Sequence, residues 1–107
     1  MISFQEFQKT ELKAAKVLKA ENIAGKDKLF KLEIDVGEQQ PRTLVAGLKP
    51  HYGIEQLVGK TIVVASNLAP AKIAGIESNG MLLAADLNGQ PILLCVDKDV
   101  PPGTPIR

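Results

Sequence analysis

Apolar and polar residues alternate along much of this chain, a pattern that predicts β-strands. The clearest run is Leu29 to Val36, in which Leu32, Ile34 and Val36 share one face of the predicted strand and charged residues occupy the other. The same signals, with turn residues between them, predict four further strands and a final apolar run. These lie at Ala14 to Ile23, Arg42 to Ala46, Thr61 to Ser66 and Met81 to Asp86, followed after an Asn88-Gly89 turn by Pro91 to Val96.

Two short helices accompany the predicted strands. Ser3 has Glu6 three residues later, the spacing of a capping box, and this predicts a helical turn that carries Phe4 and Phe7. A second helix is predicted within Pro50 to Val58. Five strands with a small helix before the fourth match an all-β fold class, the five-stranded Greek-key barrel of the OB type.

The length of 107 residues predicts one domain with a single hydrophobic core. We place the core of this domain at about 10–96 and interpret the Pro-rich residues 97–107 as an extended C-terminal tail. No apolar run approaches the ~20 residues that span a bilayer. The N-terminal residues also lack the basic and apolar regions of a secretory signal. We therefore expect a cytoplasmic protein without a membrane partner.

The residue types that carry catalysis are scarce in this chain. Cys95 is the only cysteine and His51 the only histidine, so no zinc site of ordinary ligand type can be assembled. Cys95 lies in the apolar run ILLCV, which predicts a buried, unreactive thiol. There is also no Gly-rich phosphate loop. The sequence therefore predicts a noncatalytic protein without metal or cofactor.

The net charge is only +1, although the basic residues are concentrated in the first part of the chain. Residues 1–60 hold ten Lys or Arg against eight acids, whereas residues 61–107 hold three against four. If 11–20 is a regular strand, Lys13 and Lys19 lie on one side of it and Lys16 on the other. The lysines then either contact phosphates or form a solvated edge that discourages strand aggregation.

The connection between the strands Thr61–Ser66 and Met81–Asp86 is unusually long. About fifteen residues lie between Ala65 and Met81, where a short turn would suffice. Pro70, Gly75 and Gly80 punctuate this segment. Long connections of this kind usually carry a function, so the sequence predicts a binding loop here.

Four segments, in this order and spacing, resemble the tRNA-binding domain family. That family occurs as free-standing bacterial tRNA-binding proteins, as the C-terminal domain or beta subunit of methionyl-tRNA synthetases, and in eukaryotic synthetase cofactors. The resemblance covers nearly the whole chain. Its segments are GKDKLFKLEIDVG at Gly25 to Gly37, RTLVAGL at Arg42 to Leu48, EQLVGKTIVVASNLAPAKIAGIESNGMLLAA at Glu55 to Ala85, and VPPG at Val100 to Gly103.

The resemblance implies an OB-fold, usually homodimeric, that recognises tRNA by its shape. It points to six residues as the tRNA-binding set: Lys28, Arg42, Asn67, Lys72, Ser78 and Met81. The basic residues of this set suit phosphates, and the amide and hydroxyl suit a 2′-hydroxyl or a base edge. Met81 offers a soft apolar surface to a base.

Three of these residues have a structural alternative. Asn67 is also suited to capping the loop backbone, Ser78 to bonding within the turn and Met81 to packing in the core. The chain also departs from the pattern of many relatives. Ala74 replaces a basic residue, and Ile23-Ala24 replaces a His-Pro pair. A less basic loop predicts binding that is weak or sensitive to salt.

We further expect a homodimer, because doubling the binding loop raises affinity through effective concentration. Its predicted interface includes Phe4, Phe7, Pro101 and Pro102. Three functional classes remain, of which an enzyme is disfavoured because the sequence offers no nucleophile–base pair, metal set or cofactor loop. The first is a tRNA-binding protein, free-standing or acting in trans with a methionyl-tRNA synthetase. The alternative is a protein-binding module of the same architecture, like the secretion-associated chaperones.

Overall fold

The structure is a computed structural model that describes residues 1–107. Nearly all of its regular structure is β. The helices are α1 (Phe4–Phe7) and α2 (Ile54–Leu57). The strands are β1 (Leu12–Ile23), β2 (Lys26–Asp35), β3 (Arg42–Ala46), β4 (Thr61–Ala65), β5 (Ala71–Ile73), β6 (Ile76–Ser78), β7 (Met81–Leu82), β8 (Ala84–Leu87), β9 (Gln90–Leu93) and β10 (Pro105–Ile106).

Strand β1 organises the main sheet. It pairs antiparallel with β2, β4 and β10, and the strand order along the sheet is β3-β2-β1-β4-β7. Two separate hairpins, β5–β6 and β8–β9, complete the molecule. The predicted all-β, OB-like fold class is confirmed.

The hydrophobic core lies on one face of this sheet. Leu32, Ile34 and Val36 are each 2% exposed or less, as the alternation along 29–36 predicts. They pack with apolar residues from β1, β3, β4 and α2. Fully burying one such aliphatic side chain contributes about 1.5–3 kcal/mol, so this twelve-residue cluster fixes the register of the sheet.

A bulge in β1 places Lys13 and Lys19 on opposite faces of the strand, and not on the same face as the sequence predicts. A register shift between Val17 and Lys19 shows a β-bulge in β1, and a bulge moves the following side chains to the opposite face. Lys13 pairs with buried Val64, whereas Lys19 pairs with Glu33. The prediction that Lys13 and Lys19 share a face is therefore wrong.

The predicted second helix is shorter in the structure. The C=O of Leu48 accepts hydrogen bonds from His51 N–H and Tyr52 N–H, each at 2.9 Å, which closes a turn. Gly53 is then extended, with φ −87° and ψ 157°. Helix α2 consequently begins at Ile54 and not at Pro50.

The predicted strand Met81–Asp86 is broken at Leu83. Leu83 N–H donates to Val63 C=O at 2.9 Å, and Leu83 C=O accepts from Leu94 N–H at 3.1 Å. Leu83 thus links the main sheet to the β8–β9 hairpin. That hairpin turns at Asn88-Gly89, with φ values of 51° and 87°, as the Asn-Gly signal predicts.

Cys95 is exposed, so the expectation of a buried thiol is wrong. It forms only an isolated bridge with Ile62 beyond the end of β9. The β8–β9 hairpin is covered on one side only, and Ile92 and Leu94 are also about 40% exposed. An apolar run in the sequence does not show which residues of an edge hairpin face the core.

The C-terminal tail returns to the start of β1. Gly103 N–H donates to Ala14 C=O at 2.7 Å, and a Cβ on Gly103 would lie 2.6 Å from Val36 C=O. Only glycine permits this approach. β10 then pairs with Leu12 and Lys13. No helix in the structure has the length and apolar character needed to cross a membrane.

Candidate nucleic-acid interface

The loop 66–80 contains a small hairpin that the sequence did not predict. Strands β5 and β6 pair through Ala71–Ser78 and Ile73–Ile76. The turn between them consists of Ala74 and Gly75, with φ values of 52° and 78°. The predicted binding loop thus contains a hairpin, here called the β5–β6 arm, whose strand β6 lies against β3.

This arm forms one wall of an apolar groove, here called the seam groove. Its volume is about 390 Å³, and none of its lining residues is charged. The lining residues come from β3, the β5–β6 arm and β7. They are Leu44, Val45, Ala46, Gly47, Leu68, Ala69, Ala71, Ile73, Ser78, Gly80, Met81 and Leu82.

The groove lies where the barrel is not closed by a backbone ladder. Strands β3 and β7 are the two ends of the main sheet order and do not pair. Instead, Val45 N–H donates to Ser78 Oγ at 3.1 Å, and Asn79 N–H donates to Thr43 C=O at 2.8 Å. Ser78 is 5% exposed. Its hydroxyl therefore holds the seam together.

Met81 lies at the mouth of this groove. It is 54% exposed, which rules out the alternative of a core residue. The preceding Gly80 has φ 123°, and a Cβ there would lie 3.0 Å from Ala65 C=O and 3.3 Å from Leu44 Cδ2. Glycine at this position lets the chain pass close to β4 while the Met81 side chain faces solvent.

Asn67 has the structural role that the sequence left open. Its Oδ1 accepts from Glu11 N–H at 2.8 Å, and its Nδ2 donates to Lys9 C=O at 2.6 Å. Both partners are backbone groups more than fifty residues away in sequence. Asn67 therefore ties the start of the arm to the segment that precedes β1.

Arg42 is also engaged within the chain. Its Nε and Nη2 donate to the Glu38 carboxylate at 2.8 and 2.7 Å, and its Nη1 donates to Ser66 C=O at 2.5 Å. The hydrogen bonds between Arg42 and Glu38 are the largest cause that raises the pKa of Arg42 and lowers the pKa of Glu38. The guanidinium stays charged, but a carboxylate already occupies the fork that would hold a phosphate.

The two predicted lysines are exposed and form no ion pair. Lys72 lies opposite Glu77 on the arm. Its neighbours Ala71 and Ile73 line the groove, so the alternation of a strand places Lys72 on the other side of the arm. Lys28 lies near the start of β2, and its C=O approaches Gly47 on the groove.

The residues predicted for a dimer interface divide into two places. Phe4 is 73% and Phe7 45% exposed. Both border a cavity of about 400 Å³, which we call the N-terminal face; its other lining residues are Gln8, Thr10, Glu11, Leu12, Lys13, Pro105, Ile106 and Arg107. Pro101 and Pro102 lie in the turn before β10, where Pro102 C=O would be 2.7 Å from a Cβ on Gly37.

Sequence reasoning missed three contributors to the groove region. Leu68 and Ile73 line the groove and are 43% and 37% exposed. Apolar residues within a loop are a signal that can be read from the sequence. Glu38 is the partner of Arg42, and nothing in its sequence context marks it. No three His, Cys, Asp or Glu side chains lie close enough together to hold a metal ion.

The fold and the groove define a class of protein, the small OB-like binding proteins. Solved structures of the same shape include the MetRS-related protein from Pyrococcus horikoshii, which has a TM-score of 0.93 and is 37% identical over 100% of this chain and 98% of that one. The chaperone CsaA from Bacillus anthracis has a TM-score of 0.90 and is 30% identical, with 100% and 99% covered.

The sequence comparisons identify the family. The model of a putative tRNA-binding domain matches residues 12–105, and this chain belongs to that family. It is 50% identical over 107 residues to a methionine–tRNA ligase of Methanothrix thermoacetophila and 46% identical over 105 residues to one of Caldanaerobacter subterraneus. These matches cover 100% and 98% of this chain but only 16% of each relative.

Proposed function

We propose that this protein is a noncatalytic, structure-specific tRNA-binding protein that acts by itself or in trans with a methionyl-tRNA synthetase in the cytoplasm. Residues 1–107 form a single binding unit in this proposal. The observation that carries it is the seam groove beside exposed Met81, in a chain of the tRNA-binding domain family.

The chemistry of the groove suits an unstacked base. Proteins recognise RNA mainly at loops and ends, where bases are free to leave the stack and pack on protein side chains. This chain has no Trp, so the exposed thioether of Met81, with Leu68 and Ile73, replaces an aromatic platform. No acidic side chain lines the groove, so the lining does not repel the phosphates of RNA.

The backbone of the RNA needs cations outside the groove. Lys28 and Lys72 are exposed and free of ion pairs, and we assign them to phosphates. Arg42 joins them only if the RNA displaces Glu38 from its guanidinium. Since few phosphates are contacted, affinity should depend on presenting two sites together.

We propose that a homodimer provides this doubling. The exposed Phe4 and Phe7 and the cavity they border are suited to burial against a second copy. In that proposal Pro101 and Pro102 shape the turn that leads into β10, beside the same face. A two-fold dimer then offers both grooves to one tRNA.

A protein-binding function is the second candidate. Two chaperone structures, CsaA from Bacillus anthracis and from Picrophilus torridus, share this fold with a TM-score of 0.90 at 30% and 25% identity. An apolar groove beside an edge strand is also suited to an extended peptide. Here, however, Ser78 and Asn79 already occupy ladder positions of β3, which leaves little edge for a peptide strand.

The test is a filter-binding titration against bulk tRNA across a salt series, with single-stranded RNA and duplex DNA as competitors. Retention of tRNA that resists both competitors and weakens with salt supports the proposal. No retention even at low salt overturns it and moves the protein-binding function to first place. Retention that single-stranded RNA abolishes would mean that the shape of tRNA is not what is recognised.

A further inference from the structure

The Asn67 side chain is held by two backbone groups before any RNA binds. Its hydrogen bonds to Glu11 N–H and Lys9 C=O measure 2.8 and 2.6 Å. Neighbouring Ser66 adds two more to Glu11 C=O, from its N–H at 2.8 Å and from its Oγ at 3.2 Å. Four hydrogen bonds therefore join residues 66–67 to residues 9–11.

This junction lies at the base of the β5–β6 arm. Strand β4 ends at Ala65, and the arm that walls the groove begins after Asn67. Arg42 adds a further hydrogen bond to Ser66 C=O. The hairpin of the arm contains only three residue pairs. The orientation of the arm relative to the main sheet therefore depends on the hydrogen bonds at its base.

The segment 9–11, on the other side of this junction, is part of the N-terminal face. Thr10 and Glu11 line the cavity that Phe4 and Phe7 border. The segment 9–11 thus contacts the base of the arm on one side and lines the proposed dimer surface on the other. Any shift of this segment reaches the arm through Asn67.

We propose that Asn67 is a positioning residue, which fixes the β5–β6 arm to the segment 9–11 and so makes the N-terminal face part of the support of the RNA site. The inference rests on the proposed function. In this proposal Asn67 raises RNA affinity by keeping the arm ordered, and not by contacting the RNA. A preordered site binds more tightly because less ordering is required on binding.

The experiment combines amide hydrogen exchange of the free protein with tRNA affinity. In Asn67→Ala, we expect amides of 66–80 and Glu11 to exchange about tenfold faster and tRNA affinity to fall about tenfold, the scale of a lost hydrogen bond. The salt dependence should stay unchanged, because no phosphate contact is removed.

One variant tests the route, and two serve as controls. Ser66→Ala removes a hydroxyl from a residue that is 5% exposed and cannot contact RNA, so a smaller loss of affinity, about two- to threefold, is expected. Asn22→Ala changes an exposed amide without a hydrogen bond and should bind like wild type. Leu57→Val loosens the core at α2, which packs against β1, and should also retain affinity.

The outcomes separate this inference from the proposed function. Weaker binding by Asn67→Ala with unchanged exchange would show that Asn67 contacts RNA directly, and would overturn the inference alone. Equal binding by wild type and Asn67→Ala would also overturn it alone. Failure of wild type to retain tRNA would overturn the proposed function together with the inference.

Discussion

Two exposed apolar regions of similar size lie on this protein and differ in what surrounds them. The N-terminal face encloses about 400 Å³ and includes Glu11, Lys13 and Arg107 in its lining. The seam groove encloses about 390 Å³ without a charged residue. An apolar centre with a charged rim is typical of protein interfaces, whereas a narrow uncharged groove is typical of a ligand site.

The two regions also differ in how they are held. Helix α1 buries none of its residues, and its capping box between Ser3 and Glu6 satisfies only backbone N–H groups at the N-terminus of the helix itself. The groove walls are held by hydrogen bonds that Ser78 Oγ and Asn67 Oδ1 accept and that Arg42 donates. We infer that helix α1 gains its packing when a partner covers it, while the groove is preorganised.

The largest effect is expected at the N-terminal face. Phe4→Ala with Phe7→Ala should convert the proposed homodimer to a monomer without loss of fold, because neither ring is buried. Loss of the second site should weaken tRNA binding by about 100-fold. Light scattering at micromolar concentration measures the mass. Val58→Ala, at another exposed apolar position, is the control, and a monomeric wild type would contradict the comparison.

The next effect is expected in the seam groove. Met81→Ala should weaken tRNA binding about tenfold, the lower end of the roughly 1–3 kcal/mol that a base stacked on an aromatic side chain contributes, while the mass in solution stays that of wild type. A filter-binding titration measures it. Leu87→Ala removes an equally exposed side chain on the β8–β9 hairpin. If both variants bind alike, the groove is not where the RNA lies.

A smaller effect is expected for Lys72 at the outer side of the arm. Lys72→Ala should weaken binding a few-fold at physiological salt and reduce the slope of log affinity against log salt by about 0.7–0.9, the value of one phosphate contact. Met81→Ala should leave that slope unchanged. An identical slope for wild type and Lys72→Ala would remove Lys72 from the RNA interface. Lys98→Ala, at another exposed lysine without an ion pair, is the matched control.

The sequence predicted the parts of this comparison that depend on local signals. The alternation of 29–36, the capping box at Ser3 and the Asn88-Gly89 turn all appear in the structure. The bulge in β1 has no such signal, because a single extra residue reverses the faces without changing the composition. It could not be read from the lysine spacing.

The site was predicted less completely than the fold, because its contacts join distant parts of the chain. The residue types at Arg42, Asn67 and Ser78 suit RNA as well as they suit backbone capping, and only the fold shows that all three are engaged. The partner of Asn67 is 56 residues away, and that of Ser78 is 33. Pairings of that range depend on tertiary structure and leave no trace in local pattern.

The smallest effect concerns the pH dependence of stability at the ion pair between Arg42 and Glu38. Arg42 lowers the pKa of Glu38 below its ordinary 4.5, so the ion pair contributes its full stability above pH 4.5 and loses it as pH falls through the folded pKa. The contribution is below about 1 kcal/mol, because the pair is solvent-screened. Glu38→Gln should lower the melting temperature slightly at pH 7 and not at pH 3.

The same variant also tests whether Glu38 competes with RNA for Arg42. Removing the carboxylate should free the guanidinium and tighten tRNA binding at neutral pH, although it slightly destabilises the protein. Glu55→Gln, an exposed acid that pairs with no base, should change neither property. If Glu38→Gln instead weakens tRNA binding, Arg42 acts only by holding Ser66, and the groove depends on the ion pair for its shape.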